Sequence, residues 1–135
     1  MPLPFLDTNV FLRHLRRDHP VFSQLASAIF DRIERGELVV RTADTVIFET
    51  VFSLQRGYKQ PRPLIAAGVL PLIELPGVVL PGKRIYRRAF ELYTNRPLGF
   101  ADSYHVALME RWGLSEILSF DTDLDSLPGI SRRQQ

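Results

Sequence analysis

The sequence predicts an α/β fold: a three-layer α/β/α domain with a mainly parallel central sheet of about four to five strands. Three observations predict it. Short apolar runs alternate along the chain with stretches of helical period, the pattern of repeated strand–helix units. The run Leu3 to Leu6 ends abruptly in Asp7, Thr8 and Asn9, and an amphipathic stretch follows at once. This is how a buried parallel strand delivers polar side chains to the carboxyl edge of a sheet. Late in the chain Ile117-Leu118-Ser119-Phe120 ends in Asp121 in the same manner.

Taken in order, residues 3–6 read as the first strand, and 9–17 as a short helix with Val10, Phe11 and Leu15 apolar. Pro20 opens a second helix at about 21–35 whose spacing puts Val21, Phe22, Leu25, Ala26, Ile29 and Ile33 on one face. Gly36 supplies the left-handed residue expected just past its end. Leu38-Val39-Val40 is a short buried strand. Asp44 is placed to cap a helix over about 45–57 that Gly57 ends. From 58 to 82, five prolines and three glycines break any long element. A helical segment around 63–70 and a strand at Val78-Val79-Leu80 are expected there. A helix at about 83–94 points Ile85, Tyr86, Ala89, Phe90 and Tyr93 inward. Another runs from about 100 to 112 and stops at Gly113. The strand 117–120 then leads into an acidic turn, Asp121 to Asp125, and a weak tail. With no repeat, low-complexity segment or linker, 1–135 is expected to be a single domain.

Composition narrows the function. The chain has 135 residues, 45% hydrophobic and 24% charged, which is ordinary for a globular domain with one sizeable core. No cysteine is present, so disulfides and thiolate sites are excluded, and a reducing compartment fits. No signal-like segment precedes the first strand and no apolar run approaches 18 residues. A cytoplasmic protein without a membrane span is therefore expected. The formal charge is only +2, but arginine clusters at Arg13, Arg16 and Arg17, at Arg84, Arg87 and Arg88 beside Lys83, and at Arg132 and Arg133. These are either solvated helix faces or a phosphate-binding surface.

The acids carry more information. Asp7, at a strand end, is either a helix cap or a ligand. Glu49 lies in an otherwise apolar helix, with Thr45, Ser53 and Arg56 as its same-face neighbours, and could sit in a cleft or on an exposed edge. Asp102 shares a helix side with His105, Val106, Met109 and Trp112. A carboxylate on an inward face asks for a cation, because the helix dipole supplies only about 0.3–1 kcal/mol while an uncompensated buried charge costs several times that. Asp121 follows a strand as Asp7 does, with Asp123 and Asp125 beyond, and one of the three is expected to cap a final helical turn. Clustered acids repel and need positive charge at neutral pH. Oxygen donors without Cys or His suit Mg²⁺ or Mn²⁺. His14, His19 and His105 form no ligand pattern, and His105 is expected to be a partly buried structural histidine.

In order and spacing, Phe5-Leu6-Asp7-Thr8-Asn9-Val10, Ile47-Phe48-Glu49-Thr50-Val51, Ala101-Asp102-Ser103-Tyr104-His105-Val106-Ala107 and Ser119-Phe120-Asp121-Thr122-Asp123 resemble the PIN-domain nucleases. The small size resembles the VapC-like toxins of toxin–antitoxin pairs. The resemblance implies that Asp7, Glu49, Asp102 and Asp121 form an acid cluster holding Mg²⁺ or Mn²⁺, with Asp123 competing for the fourth place and Thr8, Asn9 and Ser119 in support. It implies metal-dependent hydrolysis of RNA phosphodiester bonds, a homodimer and a cognate antitoxin protein. The alternative is a PIN-like module that binds nucleic acid or protein with little or no catalysis. A phospho-acceptor domain fits poorly, since only Asp7 lies at the first strand and Lys83 is the last lysine.

Overall fold

Val40 to Thr42 is an extended segment hydrogen-bonded on both sides, and the first part of the chain is assembled on it. The computed structural model describes residues 2–135, which form two compact units, one running up to Arg84 and the other Ile85–Gln135. In the first, β1 (Val40–Arg41) runs parallel to β2 (Val78–Val79), with Val40 opposite Val78. On its other side β1 meets Phe5 in a single parallel bridge. Leu6 N–H donates to Arg41 O at 2.8 Å and Arg41 N–H to Pro4 O at 2.9 Å. The first strand expected over 3–6 thus contracts to one bridge. Pro2 and Pro4 have no N–H to extend the ladder. Nor is that strand buried on both faces: Leu6 is 4% exposed, Phe5 59%.

Helix α1 (Thr8–Arg16) packs against α2 (Phe22–Glu34), with Phe11 and Phe30 edge-to-face at 5.3 Å between centroids. The start of α2 is capped by His19, whose Nδ1 accepts from the N–H groups of Val21 and Phe22 at 3.2 and 2.9 Å. The buried stripe of α2 is Ser23, Ala26, Phe30 and Ile33. Val21, Phe22 and Leu25, expected inward, are exposed, because Phe30 rather than Ile29 sets the inward direction. Gly36 adopts φ 77° as expected, with Glu37 N–H closing on Arg32 O at 2.8 Å. Gly77 leaves room for the end of α2: a Cβ there would stand 2.9 Å from Ile33 Cγ2 and 3.0 Å from Leu38 O.

Helix α3 (Asp44–Phe52) continues into a π turn over Ser53–Gly57. Asp44 is its first residue rather than its cap, since Ala43 holds the N-cap position. Helix α4 (Arg62–Ile73) runs past Pro71, further than the prolines predicted. Ile65, Val69 and Ile73 are at most 1% exposed, and burial of that stripe outweighs the local cost of proline. Lys83 donates to the carbonyls of Leu75 and Val78 at 2.9 and 2.7 Å, and burial lowers its pKa. It is half-buried and braces β2.

The second unit is built on the hairpin of α5 (Ile85–Asn95) and α6 (Phe100–Trp112). Phe90, Tyr93 and Phe100 interlock, with centroids 4.8 Å apart for Phe90–Phe100 and 5.4 Å for Tyr93–Phe100. β3 (Glu116–Leu118) pairs in parallel with β4 (Ser131–Arg133), a strand the sequence did not reveal. No helix among the described residues is long and apolar enough to cross a membrane.

Phe90 is 2% exposed at the centre of the aromatic cluster. Phe90→Ala is expected to destabilise the fold by about 3–5 kcal/mol, read from the urea midpoint. A loss under about 1 kcal/mol would contradict this packing.

Candidate active site

The candidate acids are positioned by backbone before side chains act. In the first unit Thr42 Oγ1 donates to Leu6 O at 2.9 Å, a buried bond that pins the residue before Asp7. Asp7 then occupies the N-cap position of α1 with φ −91° and ψ 164°, but its side chain makes no capping hydrogen bond. The carboxylate is exposed and is not consumed by the helix. Thr8 is buried, and its hydroxyl donates to Glu49 Oε2 at 3.3 Å, tying α1 to α3. Glu49 is exposed at the edge of its helix, which resolves one of the two placements left open by the sequence. Asn9 is exposed beside them.

In the second unit Asp102 lies in the first turn of α6 and is half-buried. Its pKa is raised, first by burial, then by the Asp121 charge, with a hydrogen bond that the protonated carboxyl donates to Asp121 and the Asp123 charge adding to it; His105 acts in the opposite sense. The inward stripe of α6 is Phe100, Ser103, Val106, Ala107 and Met109, so Asp102 flanks the core rather than facing it. Ser103, not counted on the inward side from the sequence, is fully buried and donates to Gly99 O at 3.0 Å. A serine that satisfies its own hydroxyl within the helix can be buried at little cost. His105 and Trp112 are exposed, so His105 is not the structural histidine expected, and its charge reaches Asp102 instead.

Asp121 caps the 3₁₀ turn Thr122–Ser126, accepting from Asp123 N–H at 2.9 Å, and its own N–H donates to Ser119 Oγ at 3.1 Å. Asp125 is taken by Arg132 through two bonds at 2.6 and 3.1 Å. Arg132 also donates to Ser119 O at 3.1 Å, so the loop carrying Asp121 is held from both ends. Of the two competitors for the fourth place, Asp121 acts on Asp102 by charge and hydrogen bond, Asp123 by charge alone.

The acids of each unit therefore stand in short associations, Thr8 with Glu49 and Asp102 with Asp121. Among the described residues no three His, Asp or Glu side chains close into a group that could hold an ion. The donor chemistry fits a hard divalent cation: every candidate is a carboxylate, and Asp102 carries negative neighbours that a cation would offset.

The family model for the PIN domain matches residues 5–130. The chain belongs to the PIN-domain family, and the α/β/α class expected from the sequence is that family's fold. It is 29% identical over 120 residues to a VapC ribonuclease of Aquifex aeolicus (strain VF5), covering 87% of this chain and 87% of that protein. It is also similar to the crystal structure of Mycobacterium tuberculosis VapC20, a Sarcin-Ricin loop cleaving toxin. That likeness has 23% identity and a TM-score of 0.39, over 88% of this chain and 90% of that one.

The raised pKa of Asp102 has a stability consequence. The folded chain binds this proton more tightly than the unfolded chain, so charging the carboxyl costs stability as pH rises through the raised value. In chelator near neutral pH, Asp102→Asn is expected to melt above the parent. The gap should close as pH falls below the ordinary carboxylate range, where both forms are neutral. A pH-independent gap in scanning calorimetry would contradict the electrostatic origin.

Proposed function

We propose that this chain is a metal-dependent endoribonuclease, the toxin of a toxin–antitoxin pair, acting as one PIN domain over residues 1–135. The observation that carries the proposal is Asp102, whose carboxyl is loaded with the charge of Asp121 and Asp123 within a match to the PIN domain that spans residues 5–130. The named relative, a VapC ribonuclease, supports the choice of RNA as substrate. A cognate antitoxin as partner, a homodimer as the working form and the cytoplasm as its place belong to the same proposal, as the family resemblance implies.

Asp7, Glu49, Asp102 and Asp121 are the acids of the reaction, with Asp123 supporting Asp121. They would hold Mg²⁺ or Mn²⁺, which when bound supplies Lewis acidity and offsets charge on the scissile phosphate. The protein's own groups do the rest. Glu49, oriented by the Thr8 hydroxyl, takes the proton of the attacking water. The water oxygen bonds to phosphorus as the bond to the sugar oxygen breaks, and solvent reprotonates that oxygen. Asp121 is oriented by the Asp123 amide at its carboxylate and by Ser119 at its backbone N–H.

Asp102→Asn is expected to reduce Mg²⁺-dependent cleavage of single-stranded RNA at least about 100-fold with the fold retained. Thr8→Val, which frees Glu49, should cost about 10–100-fold. Both are read on gels with circular dichroism as the folding control. A folded, fully active Asp102→Asn chain removes Asp102 from the chemistry. A parent chain without metal-dependent cleavage would instead make the protein a binding module.

A further inference from the structure

Along one side of the first unit, α1 and α3 form a ladder that starts at a candidate acid and leads away from it. Its first rung is the Thr8–Glu49 hydrogen bond at 3.3 Å. Thr8, Leu12 and Arg16 then follow at i, i+4 and i+8 on α1, a run of about 12 Å. Opposite them Glu49, Phe52 and Arg56 follow at i, i+3 and i+7, into the π turn. Between lies an open groove of about 650 Å³ lined by Leu12, Phe52, Ser53, Arg56, Gly57 and Tyr58.

The lining is unusual for a surface that faces only water. Phe52 is 60% exposed and Tyr58 38%. Each ring carries a guanidinium: Arg16 lies 4.1 Å over Tyr58, and Arg56 lies 5.4 Å over Phe52. Among the described residues Arg56 makes no ion pair. Arg16 stands 3.6 Å from Asp18, and its shielded Nε lacks a hydrogen bond, a cost that most folds avoid. Lys59 beside Tyr58 holds φ at 54°, where a non-glycine residue is strained. A π turn, a strained lysine and an orphan donor thus coincide at the groove's far end, and such departures concentrate where a surface is used.

We propose that this groove is a nucleobase-stacking subsite that takes unpaired bases of the RNA flanking the cut. The inference rests on the ribonuclease reading above and extends it to a place on the surface. Every base has a flat face that stacks on aromatic rings and on guanidinium planes, so exposed Phe52 and Tyr58 with their arginines match unpaired RNA. Charge complementarity selects the same occupant. Arg16, Arg56 and Lys59 bring three positive charges to the groove's far end against the one carboxylate of Asp18 beside Arg16, and a phosphodiester backbone supplies the remaining negative charge. The ladder gives direction: bases seated at Phe52 and Tyr58 extend along the strand from the phosphate nearest Glu49.

The test measures binding apart from cleavage. Fluorescence anisotropy follows a labelled single-stranded RNA of mixed sequence, and the same RNA with abasic residues, on the full chain carrying Asp102→Asn. Adding Phe52→Ala should weaken binding of the intact RNA about tenfold. Phe52→Leu, apolar but without a ring, should lose as much, and Phe52→Trp should restore it. The abasic RNA should bind all of these equally. Arg56→Gln should lower the salt slope by about one ion. Equal binding of intact RNA by the Ala, Leu and parent chains overturns the subsite while leaving the nuclease reading in place. So does a Phe52→Ala chain that changes oligomeric state in sedimentation, or loses a protein partner, with RNA binding intact. If the parent fails to bind RNA, both readings fall.

Discussion

The structure of the first unit depends on the double engagement of Val40 to Thr42. Its backbone pairs on one side with Pro4 to Leu6 and on the other with Gly77 to Val79. The Thr42 hydroxyl adds a buried bond to Leu6 O. The segment Pro2 to Leu6 is a poor strand by itself, because two prolines interrupt its donors. It is held because its neighbour leaves no other partner for these carbonyls and amides. Asp7 and Thr8 inherit their positions from that constraint, since each lies within two residues of the last bond. Gly77 is part of the same device, because a side chain there would collide with Ile33 and separate β2 from the end of α2.

Electrostatics divides the charged residues into two populations. Arg35, Arg88, Arg132 and Arg133 are neutralised by Glu37, by Glu91 and Glu110, by Asp125 and by Glu116 respectively. Exposed pairs of this kind add little stability, but they take these arginines out of consideration as free phosphate contacts. Arginine clusters in the sequence therefore overstate the basic surface. Carboxylates sort the same way. Asp125 is lowered in pKa by its bonds to Arg132, whereas Asp102 is raised by burial and by its acidic neighbours. Two aspartates of one acidic segment, Asp121 and Asp125, thus differ in partner, and the partner decides which can serve chemistry.

How much was legible follows from what each pattern encodes. The helix over 100–112 is readable to its ends because Gly113 terminates it with φ 71° and a long periodic stretch leaves no competing element. Its inward face was misread, because Asp102 and Val106 share a side and a serine carries no sign of burial. Only the structure shows that Ser103 satisfies itself on Gly99 O. β4 could not be read at all: Ser131-Arg132-Arg133 has no strand pattern, and its extended form comes from pairing with β3. The site residues were legible as residue types after strands and in a helix's first turn. Their local partners, such as Thr8 for Glu49 and Asp121 for Asp102, arise from tertiary contacts that spacing does not encode.

Phe52 shows most clearly where a sequence pattern stops being informative. Helix α3 is apolar on nearly every side, with Val46, Ile47 and Val51 fully or almost fully buried. When an entire helix is apolar, periodicity no longer distinguishes inside from outside. Phe52 then reads as one more core residue, yet it is turned to solvent beside Arg56. The π turn that follows cannot be anticipated either, since it substitutes i+5 for i+4 bonding, with Tyr58 N–H reaching Ser53 O at 3.1 Å. Exposing a phenylalanine forgoes stabilisation of roughly 1.5–3 kcal/mol relative to burying it. The fold places this ring next to a guanidinium that makes no ion pair among the described residues, one turn from a candidate catalytic acid, and apolar surface left open there is what the proposed stacking of a base would cover.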